Sequence, residues 1–376
     1  MIEGPLTEEK LRRAVRPLFS RVLERAEIYL ANHSLGRPPD RMAEDVARAL
    51  DAWYRDLDGA WDSWLAARER FRELTARLVG APRPDCIVPK TSAGQGLRAV
   101  LNALEGRPRV VTTDAEFDSI DLILRAYRDK GRIELKMSPW RALQAAGADL
   151  VVLSTVLFRT GQIVPDVAKL VRAAHASGAL VLLDVYHHAG VLPLDLAALD
   201  ADFAVGGSYK YTRGGPGACW LYARPGLLEA LRTLDTGWFA KKDVFAYLRP
   251  EPPEYAPGGD AWLESTPAVL APVQALAGLE LTVELGAERL RAYNLAQKRR
   301  LAGLLQREGV PAEGAGEEHG AFVTIRSDAA AGLAAQLAGR GVKADARGDR
   351  LRLCPDILNS EEELATAARR LGELLR

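Results

Sequence analysis

Two segments of this chain are the most informative about its fold, Ala179-Leu180-Val181-Leu182-Leu183-Asp184 and Gly207-Ser208-Tyr209-Lys210-Tyr211. The first is an apolar run of strand length that ends in a carboxylate, and the second is a turn of small residues around a lysine. Further apolar runs of strand length lie at residues 109–112, 150–153, 203–205 and 219–223. Between two runs, Val164-Pro165-Asp166 begins a helix that ends at Ser177-Gly178. This alternation predicts an α/β domain whose mostly parallel sheet lies between helices.

Asp184 and Lys210 suit the chemistry of pyridoxal phosphate (PLP). A lysine amine forms a Schiff base with the cofactor aldehyde, and a carboxylate keeps the pyridine nitrogen protonated so that the ring accepts electrons. The alternative is that Lys210 is one more solvated surface charge. Lysine is scarce here, however, at ten of the 50 basic residues, and this one lies between two tyrosines. We therefore predict a PLP site in which Lys210 and Asp184 are catalytic.

A second segment predicts the binding site for the cofactor phosphate. Lys90-Thr91-Ser92-Ala93-Gly94-Gln95-Gly96 follows Ile87-Val88 and begins an apolar helix. Small residues at such a junction leave backbone N–H groups open to a phosphate, and the helix dipole adds positive potential. Many helices also begin with Thr-Ser simply to cap their first turn. Lys90 is a rival for the Schiff base, but it lies at the phosphate end of the predicted site.

Three further side chains are candidate site residues only because the residues named above predict a PLP site. Phe117 follows the strand at 109–112 and could stack on a pyridine ring or pack as an ordinary core residue. His187 could donate to the ring oxygen or to substrate, or be a hydrogen-bonded buried histidine. Arg352 alternates with apolar residues in a predicted strand. It is either an exposed charge or a two-pronged clamp for an amino-acid carboxylate, which the planar guanidinium suits.

Composition restricts the class of protein. The chain has 376 residues, 48% hydrophobic and 27% charged, with a formal net charge of zero. We expect no nucleic-acid or membrane partner, because there is no basic surplus and no apolar run long enough to cross a bilayer. The first residues resemble no secretion signal, which predicts a cytoplasmic protein. The three cysteines have no CxxC spacing, so we expect neither a disulfide framework nor a metal site.

The length predicts one large domain and a smaller one. We expect an N-terminal segment at 1–45 that packs with the small domain, a large PLP-binding domain at 46–260 and a C-terminal α+β domain at 261–376. Helices are predicted at 7–29, 41–54, 64–78 and 271–308, and C-terminal strands at 321–325 and 351–354. Residues 248–260, rich in proline and glycine, form a loop between the large and small domains.

With these residues placed, the chain resembles the kynureninases of the PLP-dependent class V aminotransferase group, which have fold type I. The strongest stretches are Phe158-Arg159-Thr160-Gly161-Gln162, residues 184–188, 208–211 and 352–359, and Gly237-Trp238-Phe239. The resemblance implies cofactor contacts from Thr91, Ser92, Phe117, Ser154, Asp184, His187, Tyr209 and Lys210. It also implies a homodimer with shared sites, in which Trp238 and Thr266 reach the partner's cofactor phosphate. Substrate would be bound by Arg352, Ser34 and Trp61.

The activity that the resemblance implies is hydrolysis of the Cβ–Cγ bond of L-kynurenine, or a close analogue, to anthranilate and L-alanine. Three positions depart from the kynureninase pattern, namely Ile120, Arg159 and Leu263. They keep a second interpretation open, a class V lyase, epimerase or aminotransferase that acts on another amino acid. A third is a PLP-fold relative that only binds or regulates, although Lys210, Asp184 and Arg352 argue against lost chemistry.

Overall fold

The computed structural model describes residues 2–376. The α-helices are Glu8–Ala14 (α1), Ser20–Leu23 (α2), Arg41–Asp56 (α3), Ala60–Val79 (α4), Ala93–Leu101 (α5), Asp118–Asp129 (α6), Val167–Ala176 (α7), Pro225–Ala230 (α8), Leu270–Leu285 (α9), Ala287–Arg307 (α10), Ala330–Gly339 (α11) and Glu361–Leu375 (α12). The strands are Ile28–Tyr29 (β1), Ile87–Lys90 (β2), Arg109–Thr113 (β3), Glu134–Ser138 (β4), Leu150–Ser154 (β5), Leu180–Asp184 (β6), Phe203–Gly207 (β7), Cys219–Ala223 (β8), Val323–Arg326 (β9), Val342–Lys343 (β10), Asp345–Arg347 (β11) and Arg350–Leu353 (β12).

The largest sheet has seven strands in the order β2-β8-β7-β6-β5-β3-β4. Strands β3 to β7 pair in parallel, and β8 is antiparallel to both of its neighbours. Strands β5, β7 and β8 are buried along their whole length, which is why they read as continuous apolar runs rather than alternating ones. The predicted α/β class with a mostly parallel sheet is confirmed.

A smaller core forms around the antiparallel sheet β11-β12-β9. It contains buried side chains from α10, α11 and α12 and from the N-terminal strand β1, which pairs in parallel with β10. Helix α9, in contrast, packs against α3 and α4. The division at 45 and 260 stays a prediction.

Two predicted helices are interrupted. Residues 7–29 do not form one helix, because Pro17 lacks a backbone N–H and lies in the 3-10 turn Arg16–Phe19 that follows α1. Residues 271–308 are divided into α9 and α10 at Gly286, whose φ of +80° ends α9. In the loop predicted at 248–260, residues 248–257 contain no α-helix or strand, and residues 258–260 belong to the 3-10 helix Gly258–Trp262. Helix α12 begins with a capping box formed by Ser360 and Glu363.

Candidate active site

The polar residues predicted at strand ends meet at the carboxyl edge of the parallel strands. They surround a cavity of about 330 Å³. Eight of the predicted cofactor residues line it: Thr91, Ser92, Phe117, Ser154, Asp184, His187, Tyr209 and Lys210. This is the edge at which parallel α/β sheets bind their ligands.

Lys210 presents a buried amine to this cavity. Its Nζ lies 2.8 Å from His187 Nε2 and between 5.3 and 5.6 Å from the ring centres of Phe117, Tyr186 and Tyr209. Burial lowers the pKa of Lys210 to about 7, although the Asp184 carboxylate opposes the shift. Near neutral pH a large share of the amine is therefore unprotonated and able to act as a nucleophile or a base.

Asp184 is the last residue of β6, and its carboxylate is buried. The backbone N–H of Tyr186 donates to Asp184 Oδ1 over 2.9 Å, which fixes the side chain. Burial raises the pKa of Asp184, while that hydrogen bond and the Lys210 charge lower it. A carboxylate that is buried and fixed in this way is stabilised by a positively charged partner, such as a protonated pyridine nitrogen.

His187 connects Lys210 to Tyr211, since its Nδ1 lies 3.1 Å from the Tyr211 hydroxyl. Burial and the neighbouring Lys210 charge lower the pKa of His187 well below its ordinary value, so the ring is neutral. A neutral imidazole has one N–H, so it can donate to only one of its two partners.

Thr91 and Ser92 lie at the start of α5, where a phosphate is expected. Ser92 Oγ caps the helix by accepting from Gln95 N over 3.1 Å. The backbone N–H and the hydroxyl of Thr91 both donate to Gln95 Oε1, over 2.7 and 3.1 Å. These donors, the Lys210 amine and the Asp184 carboxylate are the groups that the phosphate, aldehyde and ring nitrogen of PLP require, so the residues fit this cofactor.

Lys90 is bound elsewhere. Its buried Nζ donates to Trp262 O and to Glu264 Oε1, each over 3.0 Å. These bonds hold the amine in a structural ion pair, so the structure favours Lys210 over its rival.

None of the three predicted substrate residues lines the cavity. Arg352 and Ser34 are joined through Asp345, to which both donate. Arg352 also donates to the carbonyl of Phe158, a lining residue of the cavity. Trp61 packs against Trp64 and other aromatic rings, away from the lining.

Trp238 and Thr266 bind each other, with Trp238 Nε1 donating to Thr266 Oγ1 over 3.2 Å. Neither residue lines the cavity of its own chain. Their role in a partner's site stays a prediction.

Two acidic residues of the site were not predicted from sequence. Glu116, the neighbour of Phe117, is buried and accepts from Ser154 Oγ and Thr113 Oγ1, each over 2.6 Å. Burial raises its pKa to about 7. Asp345 pairs with Arg352 over 2.5 Å. The only sequence signal was an acidic residue beside a predicted site residue or strand, which is too common to be informative.

Comparison with known proteins agrees with this geometry. The family model for class V aminotransferases matches residues 55–328. The chain belongs to the class V aminotransferase family. It is 31% identical to a kynureninase of Deinococcus radiodurans over 71% of this chain and 69% of that protein. A kynureninase of Bacillus anthracis is 28% identical over 93% of this chain and 88% of its own length.

Solved structures of other enzymes share the fold. A lysine variant of the enzyme C-DES, with glycine covalently linked to its PLP cofactor, has a TM-score of 0.85 at 20% identity, covering 95% of this chain and 99% of that one. A cysteine desulfurase from Thermococcus onnurineus has a TM-score of 0.82 at 20% identity, covering 100% of this chain and 99% of that one. The fold is therefore PLP fold type I, and the chain is a kynureninase-like, PLP-dependent enzyme, as predicted.

Among residues 2–376, no helix combines the length and apolar character that a membrane crossing requires. Within the same residues, His, Cys, Asp and Glu form no group of three or more that could hold a metal ion.

Proposed function

We propose that this enzyme hydrolyses the Cβ–Cγ bond of L-kynurenine, or a close analogue, to anthranilate and L-alanine. The observation that carries the proposal is the cavity that both the Lys210 amine and the Asp184 carboxylate line, with Arg352 hydrogen-bonded to the lining residue Phe158. This arrangement supplies a base, a partner for the cofactor ring and a cation for the substrate carboxylate. The similarity to kynureninases supports the choice of substrate.

Each residue has a defined task in this reaction. PLP, when bound, supplies an electron sink next to the substrate Cα. Arg352 binds the substrate carboxylate, and Asp184 holds a proton at the pyridine nitrogen. Lys210 Nζ removes the Cα proton, a task that its lowered pKa suits near neutral pH.

The bond cleavage balances with one water molecule. Water adds to the ketone carbon of the side chain, and the Cβ–Cγ bond then breaks. The water oxygen stays on the anthranilate carboxylate, and Cβ gains a proton to become the alanine methyl group. The proton that Lys210 removed ends again on Cα of the product alanine.

Arg159 supports a second candidate, a class V enzyme acting on a more polar amino acid. Arg159 Nη2 pairs with Asp349 Oδ1 over 2.7 Å. It lines a cavity of about 600 Å³ that shares Phe158 with the site and has Glu116, Arg125 and other charged groups on its wall. A charged wall is a poor neighbour for an aryl ketone. Desulfuration through Cys354 is disfavoured, because burial raises the pKa of that thiol.

The first experiment is to load the protein with PLP, add L-kynurenine and quantify anthranilate and alanine. Equal amounts of both products support the hydrolase. Absence of products, with a cofactor spectrum that responds to other amino acids, supports the second candidate. Lys210→Ala should abolish turnover, and substantial turnover in that variant would contradict the assigned role.

We also propose a homodimer in which Trp238 and Thr266 serve the partner's site. Trp238 stacks on Tyr247 with ring centres 6.1 Å apart, and the Tyr247 side chain is 69% exposed. Such an exposed aromatic group is typical of a surface that a second subunit covers.

Subunit mixing tests this dimer. Lys210→Ala and Trp238→Ala chains, each impaired alone, should together form a dimer with one intact site and recover part of the activity. No recovery in dimers shown to be mixed would place Trp238 in the site of its own chain.

The cytoplasmic location stays a prediction from composition.

A further inference from the structure

Arg352 already holds a carboxylate of the protein itself. Its Nη2 lies 2.5 Å from Asp345 Oδ2, and its Nη1 donates to Phe158 O over 2.5 Å. The side chains of Arg352 and Asp345 are only 2% and 12% exposed. The guanidinium assigned to the substrate carboxylate is therefore paired before substrate binds.

The fold holds Asp345 in that position. Register in the antiparallel pair places Asp345 on β11 directly opposite Arg352 on β12. Ser34 Oγ donates to the same carboxylate oxygen that contacts Arg352. Arg347 Nη1 donates to the other oxygen, Oδ1, over 2.8 Å, and the Arg347 side chain is 45% exposed. Asp345 thus lies between two guanidinium groups, one buried and one at the surface.

Asp345 is charged in this setting. Burial alone would raise its pKa, but the contact with His33 and the charge of Arg352 together lower that pKa below the ordinary range. His33 contributes as a neutral ring, because burial and the Arg352 charge lower its pKa to about 3. Asp345 therefore keeps its negative charge at neutral pH.

A substrate carboxylate and Asp345 compete for Arg352. Two-pronged binding uses two neighbouring N–H groups of the guanidinium. Both Nη nitrogens already donate, and only Nε is without a partner. Each Nη uses one of its two N–H groups in this way, so a second carboxylate bound by two N–H groups would have to share a nitrogen with a bond already made. Two carboxylates at one buried guanidinium also repel each other. Asp345 can leave without losing all ionic contact, because Arg347 already holds its other oxygen.

We propose that Asp345 is a specificity-determining residue that occupies the substrate's carboxylate position, and that a substrate carboxylate binds by displacing Asp345 from Arg352 towards Arg347. This inference rests on the role of Arg352 in the proposed function. The exchange lowers the affinity for every carboxylate, so that only ligands with further contacts in the cavity bind well. It also keeps the buried guanidinium paired between turnovers.

Propanoate tests the exchange, since it has the carboxylate of an amino acid but no amine to react with PLP. We would measure its dissociation constant on the PLP-loaded protein by NMR titration of ¹³C-labelled propanoate. Asp345→Asn should lower that constant by about tenfold or more, because it removes the competing charge and leaves the geometry of the strand pair. Unchanged or weaker binding would overturn the proposal and make Asp345 a residue that orients Arg352.

Two controls separate the possible failures. Asp349→Asn removes a nearby carboxylate that pairs with Arg159 and Arg326 instead, and should leave propanoate binding unchanged. Arg352→Gln should abolish the binding. If it does not, the carboxylate role of Arg352 fails, and with it both this inference and that part of the proposed function.

A crystal structure of the wild-type holoenzyme with propanoate covers the case in which Asp345→Asn does not fold. Propanoate on Arg352, with Asp345 beyond hydrogen-bonding distance of Arg352 and still on Arg347, supports the exchange. Propanoate bound beside an intact Asp345–Arg352 pair overturns it.

Discussion

The pH dependence of cofactor capture should reveal the lowered pKa of Lys210. Only the neutral amine attacks an aldehyde, and burial lowers the pKa of this lysine from 10.5 to about 7. At pH 7 about half of the Lys210 amines are neutral, against about 0.03% for an ordinary lysine. The buried site therefore raises the reactive fraction about a thousandfold.

The expected profile follows from that pKa. Between pH 6 and pH 8 the neutral fraction rises from about 9% to about 91%, a change of about tenfold that levels off above pH 8. An ordinary lysine would gain about a hundredfold over the same range and continue to rise. The assay is stopped-flow absorbance of apoprotein mixed with PLP, with Nα-acetyl-lysine as the reference amine for the cofactor's own ionisation.

The variant Asp184→Asn provides a second test of the Lys210 pKa. The Asp184 carboxylate opposes the lowering of the Lys210 pKa, so its removal should move the midpoint of the profile below that of the wild type. A wild-type rate that rises about a hundredfold from pH 6 to pH 8 without levelling would refute a buried amine with a pKa of about 7.

Three further outcomes are expected. Burial raises the pKa of Glu116 from 4.5 to about 7, so the stability that this group contributes is fully present below pH 4.5 and is lost as the pH rises through 7. The free energy of unfolding, measured with urea, should therefore fall by about 3 kcal/mol over this pH range in the wild type. Glu116→Gln should not show this fall. Gly36→Ala should destabilise the protein by about 1–3 kcal/mol in thermal unfolding, because its Cβ would overlap the Lys210 carbonyl oxygen. The matched control is Gly303→Ala, in helix α10 with open space around it, and it should stabilise the protein by about 0.5–1 kcal/mol. Equal effects of the two substitutions would contradict the packing argument. Arg352→Lys should raise KM for the amino acid by about tenfold or more with a smaller change in kcat, because lysine cannot bind a carboxylate with two parallel N–H groups; an unchanged KM would remove Arg352 from substrate binding.

The main features of the large sheet were predictable from sequence. Strands buried on both faces are continuous apolar runs, and this pattern is local to a few residues. Asp184 and Lys210 could be proposed as site residues because PLP chemistry requires those two residue types after such strands. The interruption at Gly286 was missed, although a glycine at the end of a helix is a common stop signal.

The resemblance to a family gave roles to residues that no local sequence pattern marks, but it left the substrate specificity open. It assigned Trp238 and Thr266 to a partner's site, and the structure places both away from the cavity of their own chain. It also assigned Trp61 to the substrate, whereas the structure packs Trp61 against Trp64 and other aromatic rings.

The α/β class, the PLP cofactor and the candidate residues at strand ends could be predicted from sequence, because these depend on short-range patterns and on the chemistry of single side chains. Which charges meet in the site depends on the tertiary structure. Glu116 reaches Ser154 across 38 positions of chain, and Asp345 meets Arg352 because β11 and β12 pair in one register. No periodic pattern marks a strand as short as β11, and shifting its register by one residue would turn Asp345 to the other face of the sheet.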